Sequence, residues 1–443
     1  MESRRKVLVI TYYFPPSGGV GVQRVLKFVK YLPSFGWDPI VLTVPEDADF
    51  PVRDPGLAAE IPDEAQVFRS GITEFYDVYR RLTGKSKDVS LDIQTVQRAD
   101  SSWKDALARK VRGSLFIPDG RIGWYRPGVA MGKRILRELD PDAIFATGPP
   151  FTAHWIGRTL SSESGKPLVL DFRDPWTRSL FYPARPSWAR RLDERLEARC
   201  VRSADHVLTV NEAIRADLQE RIAHDDTSGA EFHVIPNGFD PADFSSIPEG
   251  TIRPKSLAHV GSVFASRVPW TFLETFEKWV TARPDRASAR LTFAGRLAPE
   301  MEQRLSSEQI VSYVERLGLL SHERSLMTMR DAGLLLLLTG SGEEHRGMVT
   351  GKVYEYLGSG TPILALVPEG EAEDLIRGTN AGLCVRPEDH DGICGVLDQW
   401  WDHATRGLRL PFLGRGIDRF SRSAQAQELA RLLDRASLGA GQA

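Results

Sequence analysis

Residues 347–366, GMVTGKVYEYLGSGTPILAL, form the stretch on which the prediction of the fold depends. Thr350 is a suitable N-cap for a helix that starts at Gly351, and Gly358 and Gly360 are typical of a helix end. The apolar residues that follow predict a buried strand. A short helix between turn residues and an apolar strand is the repeating unit of a parallel α/β sheet.

The predicted helix start also has the properties of an anion site. The N–H groups of the first turn and the positive end of the helix dipole would face a diphosphate, and Lys352 would add a mobile cation. Glu355 lies one turn further on, where it could accept both hydroxyls of a ribose. The alternative is an ordinary crossover helix with solvated Lys and Glu side chains, and the segment alone favours neither interpretation.

Length and composition narrow the class of protein. The chain has 443 residues, which is too long for one ordinary core and predicts two domains. Its net charge of −2 provides no basic field that would make nucleic acid the main partner. Cys200, Cys384 and Cys394 form no CxxC or Cys/His pattern, so neither disulfides nor structural zinc are expected. This cysteine usage favours a reducing cytoplasm. Every apolar run is far shorter than the roughly 20 residues that span a bilayer, so no membrane span is expected.

Strand-length apolar runs alternate with amphipathic stretches, as in βαβ units whose parallel sheet is covered on both faces. The first predicted domain is 1–236, with strands at 7–11, 40–44, 143–147, 168–172, 207–210 and 233–235 and helices that include 23–32, 103–112 and 129–138. The second is 237–416, with strands at 257–260, 291–294, 334–338, 363–366 and 383–385. Residues 417–443 contain a last helix that could pack back on the first domain. The predicted fold is α/β, with two Rossmann-like doubly wound domains facing a cleft.

A glycine-rich loop follows the first predicted strand. Gly18, Gly19 and Gly21 precede a helix, so the backbone could approach a phosphate or sugar closely. The spacing is not GxGxxG, and no acidic residue stands where a dinucleotide ribose would be held, which disfavours a nicotinamide cofactor. The alternative is a flexible loop rich in turn residues.

Two further motifs of the first domain carry candidate catalytic residues. LVLDFRDPW ends a buried strand, where Asp174 could act as a base or substrate anchor and Arg173 could pair with a phosphate. The alternative is an internal Arg–Asp salt bridge, and we expect one of the two carboxylates to be structural. ATGPPFTAHWIG places His154 in the early turns of a helix, where it could serve as acid, base or hydrogen-bond donor, or simply be packed.

In the second domain, HVGSVFASRVPW supplies Ser262 and Arg267 as contacts for a diphosphate, or an exposed loop arginine. The DHD sequence at 389–391 imitates a metal-binding motif, but we interpret it as an N-cap region and predict no metal. The basic stretches 103–116 and 188–202 could rest on an anionic bilayer or meet a lipid-linked phosphate, although a solvated face is the favoured interpretation of both.

The glycine loop, TGPPFTAH, LDFRDPW, IPNGFD and GKVYEYLGSGTPILAL together resemble the GT-B glycosyltransferases of family 4, the group 1 glycosyl transferases with a subfamily-4-like N-terminal domain. The resemblance spans nearly the whole chain. It implies metal-independent transfer of a sugar from a nucleotide donor, generally with retention of anomeric configuration. Donor contacts would lie mainly in the second domain and acceptor contacts mainly in the first.

Some residues match the family's motifs and others depart from them. Glu355 matches the second Glu of E-x7-E and would hold the ribose, whereas the first Glu falls at Gly347. Glu343 or Glu344 could substitute only after a rearrangement of the loop. Arg173 is the nearest match to a family histidine that contacts the reacting sugar. The predicted donor-binding residues are Gly18, Gly19, Ser262, Arg267, Thr350, Gly351, Lys352 and Glu355.

The sequence therefore predicts a glycosyltransferase of bacterial type without a cofactor, which uses a UDP- or GDP-sugar and a glycan or lipid-linked acceptor in surface polysaccharide or glycoconjugate synthesis. Peripheral contact with the inner face of the cell membrane stays open. One alternative is a GT-B nucleotide-sugar epimerase or hydrolase. The other is a catalytically silent GT-B subunit that binds a nucleotide or a partner protein.

Overall fold

The computed structural model describes residues 4–73, 116–179, 182–183, 185–222, 229–307 and 309–439. The chain divides into two compact units. The first contains Met1–Pro236 together with Arg422–Ala443, and the second contains Asn237–Ser421. The last helix, Arg422–Gly439, therefore belongs to the first unit although it follows the second in sequence.

Among the described residues, the first unit contains a parallel sheet of seven strands in the order β3-β2-β1-β4-β5-β6-β7. Its strands are β1 (Arg5–Ile10), β2 (Trp37–Thr43), β3 (Gln66–Arg69), β4 (Ala143–Gly148), β5 (Leu168–Phe172), β6 (His206–Thr209) and β7 (Glu231–Val234). The described α-helices are Val20–Tyr31, Tyr125–Leu139, Thr152–Ser164, Ser187–Arg202, Glu212–Ile222 and Arg422–Gly439.

The central strand β1 shows why this sheet is buried on both faces. Val7 and Val9 belong to one apolar core, and Leu8 and Ile10 belong to the other. Side chains alternate between the faces of a strand, so an uninterrupted apolar run supplies both cores. The C-terminal helix Arg422–Gly439 completes the core on the Val7 side, where it packs against the helix Val20–Tyr31.

Among its described residues, the second unit has a parallel six-stranded sheet in the order β10-β9-β8-β11-β12-β13. Its strands are β8 (Arg253–Val260), β9 (Arg290–Ala294), β10 (Val314–Gly318), β11 (Ala332–Leu338), β12 (Ile363–Leu366) and β13 (Gly382–Val385). The described α-helices are Pro241–Ser246, Trp270–Thr281, Pro299–Leu305, His322–Asp331, Gly351–Ser359, Glu371–Thr379 and His390–Ala404. Apolar cores again cover both faces.

The predicted doubly wound α/β class is confirmed, with differences in detail. Strands β3 and β10 were not predicted, because QVFR and VERLG are short, only partly buried segments at sheet edges. The first helix begins at Val20 rather than residue 23. The helix predicted at 103–112 lies outside the described residues. Within the described part of the chain, no helix is long and apolar enough to cross a membrane.

Candidate active site

The helix start predicted in the second unit is present and has no side-chain cap. The helix Gly351–Ser359 follows Thr350, whose side chain accepts no hydrogen bond from the first turn. Three other described helices of this unit have a side-chain N-cap: Asp240 accepts from Ala242 N–H, Ser321 from Arg324 N–H and Asp389 from Gly392 N–H. Val353 N–H donates to the Thr350 carbonyl at 3.2 Å, whereas the N–H groups of Gly351 and Lys352 are not used by a side-chain cap and can face an anion. Asp389 is the N-cap that we predicted for the DHD sequence.

Lys352 lies across the carboxyl end of β8. A Cβ atom added to Gly261 would come within 2.4 Å of the Lys352 Cε, so the lysine stem passes directly over this glycine. Lys352 is half-buried and has no hydrogen-bond or ion-pair partner among the described residues. A partly buried cation without an anion, next to an uncapped helix start, is a suitable partner for a phosphate.

Neutral His259 lies beneath the same glycine. Its Nδ1 is 2.9 Å from the Leu336 carbonyl oxygen, and its Nε2 is 3.2 Å from the position of a Cβ on Gly261. Burial lowers the pKa of His259 to about 4, the hydrogen bond to Leu336 opposes this only in part, and the nearby charge of Lys352 adds a smaller lowering. The ring is therefore uncharged at neutral pH, and the positive charge placed over Gly261 is that of Lys352.

Tyr356 fixes the helix to the end of the sheet. Its hydroxyl oxygen accepts a 2.8 Å hydrogen bond from Val260 N–H at the end of β8, and the side chain is fully buried. Burial raises the pKa of this phenol, which stays protonated. This contact cannot be predicted from the sequence, because a tyrosine in a helix gives no signal of which strand end it reaches.

Arg267 and Glu355 add two further charges that have no oppositely charged partner among the described residues. Arg267 is half-buried and donates to the Met348 sulfur at 3.0 Å, and burial lowers its pKa. Glu355 is also half-buried. Within the described ranges, neither side chain has an ion-pair partner. Ser262 directly follows Gly261 in the sequence, and its hydroxyl oxygen accepts a 3.4 Å hydrogen bond from Arg296 N–H.

Among the described side chains of the loop before the helix, none supplies the missing carboxylate, and the Glu344 side chain lies outside the described part. Gly347 stands where the family's first Glu is expected, and Glu343 is 86% exposed and paired with Arg346 at 3.3 Å. The carbonyl of Arg346 accepts a hydrogen bond from Glu371 N–H, which ties this loop to the next helix. If Glu343 moved to take the role of the missing carboxylate, its ion pair with Arg346 and the hydrogen bond between Glu371 N–H and the Arg346 carbonyl would break.

In the first unit, the two carboxylates of LVLDFRDPW have different surroundings: Asp171 is buried and paired, whereas Asp174 is exposed. Asp171 is fully buried, where it accepts from Arg24 at 2.9 Å and from the Thr147 hydroxyl at 2.7 Å. Burial alone would raise the pKa of Asp171, but these two partners hold it below its usual value. Arg24 also donates to the carbonyls of Ile235 and Pro236, so the pair anchors the chain at the end of the unit.

The Arg173 side chain donates hydrogen bonds to backbone carbonyl groups of two neighbouring segments. Its guanidinium donates to the carbonyl oxygens of Gly148, Pro149 and Gly21. These contacts join the loop after β4 to the first turn of the helix Val20–Tyr31. The structure thus shows Arg173 in a positioning arrangement, and direct contact with a substrate stays a prediction.

Asp174 is the accessible carboxylate of this strand end. Its side chain is exposed and has no partner among the described residues. Desolvation of the carboxylate raises its pKa to about 6, and the nearby charge of Arg173 opposes this only in part. Asp174 is therefore largely ionised at neutral pH and available to an incoming group.

His154 is fully buried beside Gly148, among the rings of Phe151, Phe172 and Trp176. In the described part of the chain, neither ring nitrogen makes a hydrogen bond of normal geometry. Burial lowers its pKa to about 3, and the opposing charge of Asp171 does not offset this. The ring is thus neutral and inaccessible here, and a catalytic role for it stays a prediction.

The glycine loop leads into an uncapped helix start in the first unit. Gly19 has a φ of +85°, which favours glycine, and it precedes the helix Val20–Tyr31 without any side-chain cap. Gly18 is held by a 2.9 Å hydrogen bond from its N–H to the Val52 carbonyl. A Cβ on Gly18 would lie 2.9 Å from that of Asp54, so the loop is closely packed rather than free.

Two Rossmann-like units in one chain are the architecture of the GT-B glycosyltransferases. A model of Glycosyltransferase Family 4 matches residues 17–243, slightly more than half of the chain. The chain belongs to this family and is a glycosyltransferase. The predicted family, fold and enzyme class are confirmed.

Solved structures show the same fold over the whole chain. Anabaena HepE in complex with UDP has a TM-score of 0.57 at 14% identity, covering 97% of this chain and 100% of that one. Sucrose-phosphate synthase from Thermosynechococcus elongatus has a TM-score of 0.55 at 14% identity, and the match covers 99% of this chain and 98% of that one. The lipopolysaccharide outer core galactosyltransferase WaaB, in its apo form, has a TM-score of 0.55 at 14% identity, and the match covers 97% of this chain and 99% of that one. Among curated proteins no match was found.

Proposed function

We propose that the second unit binds the diphosphate of a UDP- or GDP-sugar at the start of the helix Gly351–Ser359. The observation that carries this proposal is Lys352, held across Gly261 without an anionic partner among the described residues. Arg267 supplies a second cation, and Glu355 receives the ribose hydroxyls. The complex of HepE with UDP supports a uridine nucleotide, since HepE has the same fold.

The proposed reaction is transfer with retention of anomeric configuration and without a metal at the reacting centre. As the glycosidic bond breaks, negative charge grows on the leaving diphosphate. Lys352, Arg267 and the helix N–H groups stabilise that charge, and such fixed donors perform the role that a divalent cation has in other enzymes. Asp174 in the first unit, ionised above a pKa of about 6, anchors a hydroxyl of the acceptor.

The proposed acceptor is a growing glycan or a lipid-linked glycan of a bacterial surface polysaccharide or glycoconjugate. WaaB, a lipopolysaccharide galactosyltransferase of the same fold, supports this class. We place the reaction in the cytoplasm, at the inner face of the cell membrane. The acceptor class is tested by turnover of a nucleotide sugar with lipid-linked or soluble glycan extracts, and activity on neither would contradict it.

The outward face of the helix Ser187–Arg202 supports membrane contact. Trp188 and Leu192 are 59% and 47% exposed. Arg191, Arg195 and Arg199 lie on the same side at helical spacing, exposed and without carboxylate partners among the described residues. Exposed apolar and cationic side chains on one face bind anionic bilayers. The other basic stretch, 103–116, lies almost wholly outside the described residues.

Vesicle sedimentation tests this contact. The wild type should sediment with vesicles that contain phosphatidylglycerol and not with neutral vesicles, and replacing the three arginines by Gln should abolish sedimentation. Equal binding of both proteins to anionic vesicles would remove this face from the proposal.

Calorimetric titration tests the donor site. UDP, GDP and their sugars are titrated with and without Mg²⁺ against wild type, Lys352→Ala and Glu355→Gln. Loss of a charge-assisted contact should weaken binding roughly tenfold or more, because such a contact contributes about 1.5–3 kcal/mol. Lys278→Ala and Glu274→Gln, exposed residues of the same unit, are the matched controls and should bind like wild type.

The titration also separates the alternatives. Absence of binding to any nucleotide would reject the proposal and favour a silent subunit. Release of free nucleoside diphosphate at the same rate with and without acceptor would indicate an epimerase or hydrolase. Binding that requires Mg²⁺ would contradict the metal-independent reaction.

A further inference from the structure

Two neighbouring strands of the first unit bring together three metal-ligating side chains at the edge of the sheet. His206 lies on β6, and Glu231 and His233 lie on β7, the edge strand. The strands pair in register, with His206 opposite Glu231 and Leu208 opposite His233. Residues two apart on a strand share a face, so all three side chains project on the same side of the sheet.

The three ligand atoms form a compact triangle. His206 Nδ1 is 3.1 Å from His233 Nε2, and Glu231 Oε2 is 3.6 Å from the first and 3.5 Å from the second. Donor atoms at about 2.0–2.2 Å from one tetrahedral zinc ion are separated by about 3.3–3.6 Å. The triangle therefore already has nearly the dimensions of three corners of a zinc site.

The chemistry of the set also fits a first-row divalent metal. We propose that His206, Glu231 and His233 bind a zinc-type divalent cation, with solvent in a fourth position. Two imidazoles and one carboxylate suit such ions better than Mg²⁺ or Ca²⁺, which prefer oxygen ligands. The side chain of His206 is 6% exposed, that of His233 20% and that of Glu231 60%, so the triangle opens to solvent on its carboxylate side.

One cation competes for this position. Arg435 of the C-terminal helix has its Nη1 3.9 Å from Glu231 Oε2. Its side chain is 56% exposed, so it can turn toward solvent when a metal takes the carboxylate. Without metal, the two rings are joined by their hydrogen bond.

The site would serve stability and not the transfer reaction. It lies at the amino-terminal ends of β6 and β7, whereas Asp174 follows the carboxyl end of β5 in the same sheet. A metal there fastens the four-residue edge strand β7 to β6. Strand β7 leads directly to Ile235 and Pro236, whose carbonyls accept from Arg24. The inference does not depend on the proposed function.

Zinc titration of the full chain, freed of metal with a chelator, tests the inference. The wild type should bind one Zn²⁺ per chain, gain thermal stability, and show the visible absorption of tetrahedral Co²⁺ when cobalt replaces zinc. Excess Mg²⁺ should not displace zinc. His233→Gln and Glu231→Gln should each weaken binding at least tenfold, because even changes outside the ligand set cost about 10–100-fold.

His403→Gln is the matched control, since among the described residues His403 belongs to no cluster of potential ligands. It should bind zinc like the wild type. UDP binding, measured on the same variants, should not change, which keeps this test separate from that of the donor site. Absence of stoichiometric zinc binding, or equal affinity in the wild type and His233→Gln, would overturn the assignment.

Discussion

Gly261 is the residue whose size decides where Lys352 lies. A methyl group at this position would come 2.4–2.6 Å from the Lys352 Cε and Cδ, and the flexible lysine would move aside. We expect Gly261→Ala to weaken nucleotide binding about tenfold while the unit stays folded, because one charge-assisted contact is displaced. Isothermal titration with UDP measures the change.

The matched glycine is Gly395, where an added Cβ meets no atom within 4 Å. Gly395→Ala lies inside the helix His390–Ala404 and should leave UDP binding unchanged, with stability raised by up to about 1 kcal/mol. If Gly261→Ala binds UDP as tightly as wild type, Lys352 does not contact the nucleotide from the position seen here.

The helix Gly351–Ser359 is the element that carries the donor site, and Tyr356 attaches it to β8. In Tyr356→Phe, the buried Val260 N–H loses its acceptor. We expect a loss of about 1–3 kcal/mol in the free energy of unfolding, the usual cost of an unsatisfied buried donor. Urea denaturation measures it.

Tyr313→Phe is the control for this element, because no described residue makes a hydrogen bond to the Tyr313 hydroxyl, which is only half-buried. It should lie within about 0.5 kcal/mol of wild type. Equal stability of the two variants would show that the Tyr356 hydroxyl does not hold the helix.

At the level of elements, the sequence predicted what depends on local pattern. Thr350 and Gly360 mark the helix ends at the expected places, because an N-cap position and a left-handed C-cap are local requirements. It did not predict that Arg24 pairs with Asp171, or that Lys352 crosses Gly261. The first pair is separated by 147 positions in the sequence and the second by 91. Only the packing of the sheets brings such distant residues together.

At the scale of the whole molecule, buried His154 should make stability depend on pH. Its pKa is lowered from 6.5 to about 3 in the folded chain, so between these values only the unfolded chain takes up the proton. Acidification therefore favours unfolding. From pH 7 to pH 5, His154 should contribute a loss of about 2 kcal/mol in the free energy of unfolding.

Urea denaturation of wild type and His154→Gln at both pH values isolates this contribution. The variant should lose about 2 kcal/mol less than wild type over the same interval, whatever its stability at pH 7. Parallel losses in the two proteins would mean that His154 is protonated in the folded state, and thus less buried than it is here.

The order of the two units along the chain has a consequence for synthesis. The core that contains Val7 and Val9 also needs Leu429 and Leu433 from the last helix, and the whole second unit is encoded between them. During synthesis, residues 237–421 can therefore complete their own core first. Until the last helix has been synthesised, one apolar face of the first unit stays exposed. A stop codon after Ser421 would leave the second unit whole and the first one permanently unfinished.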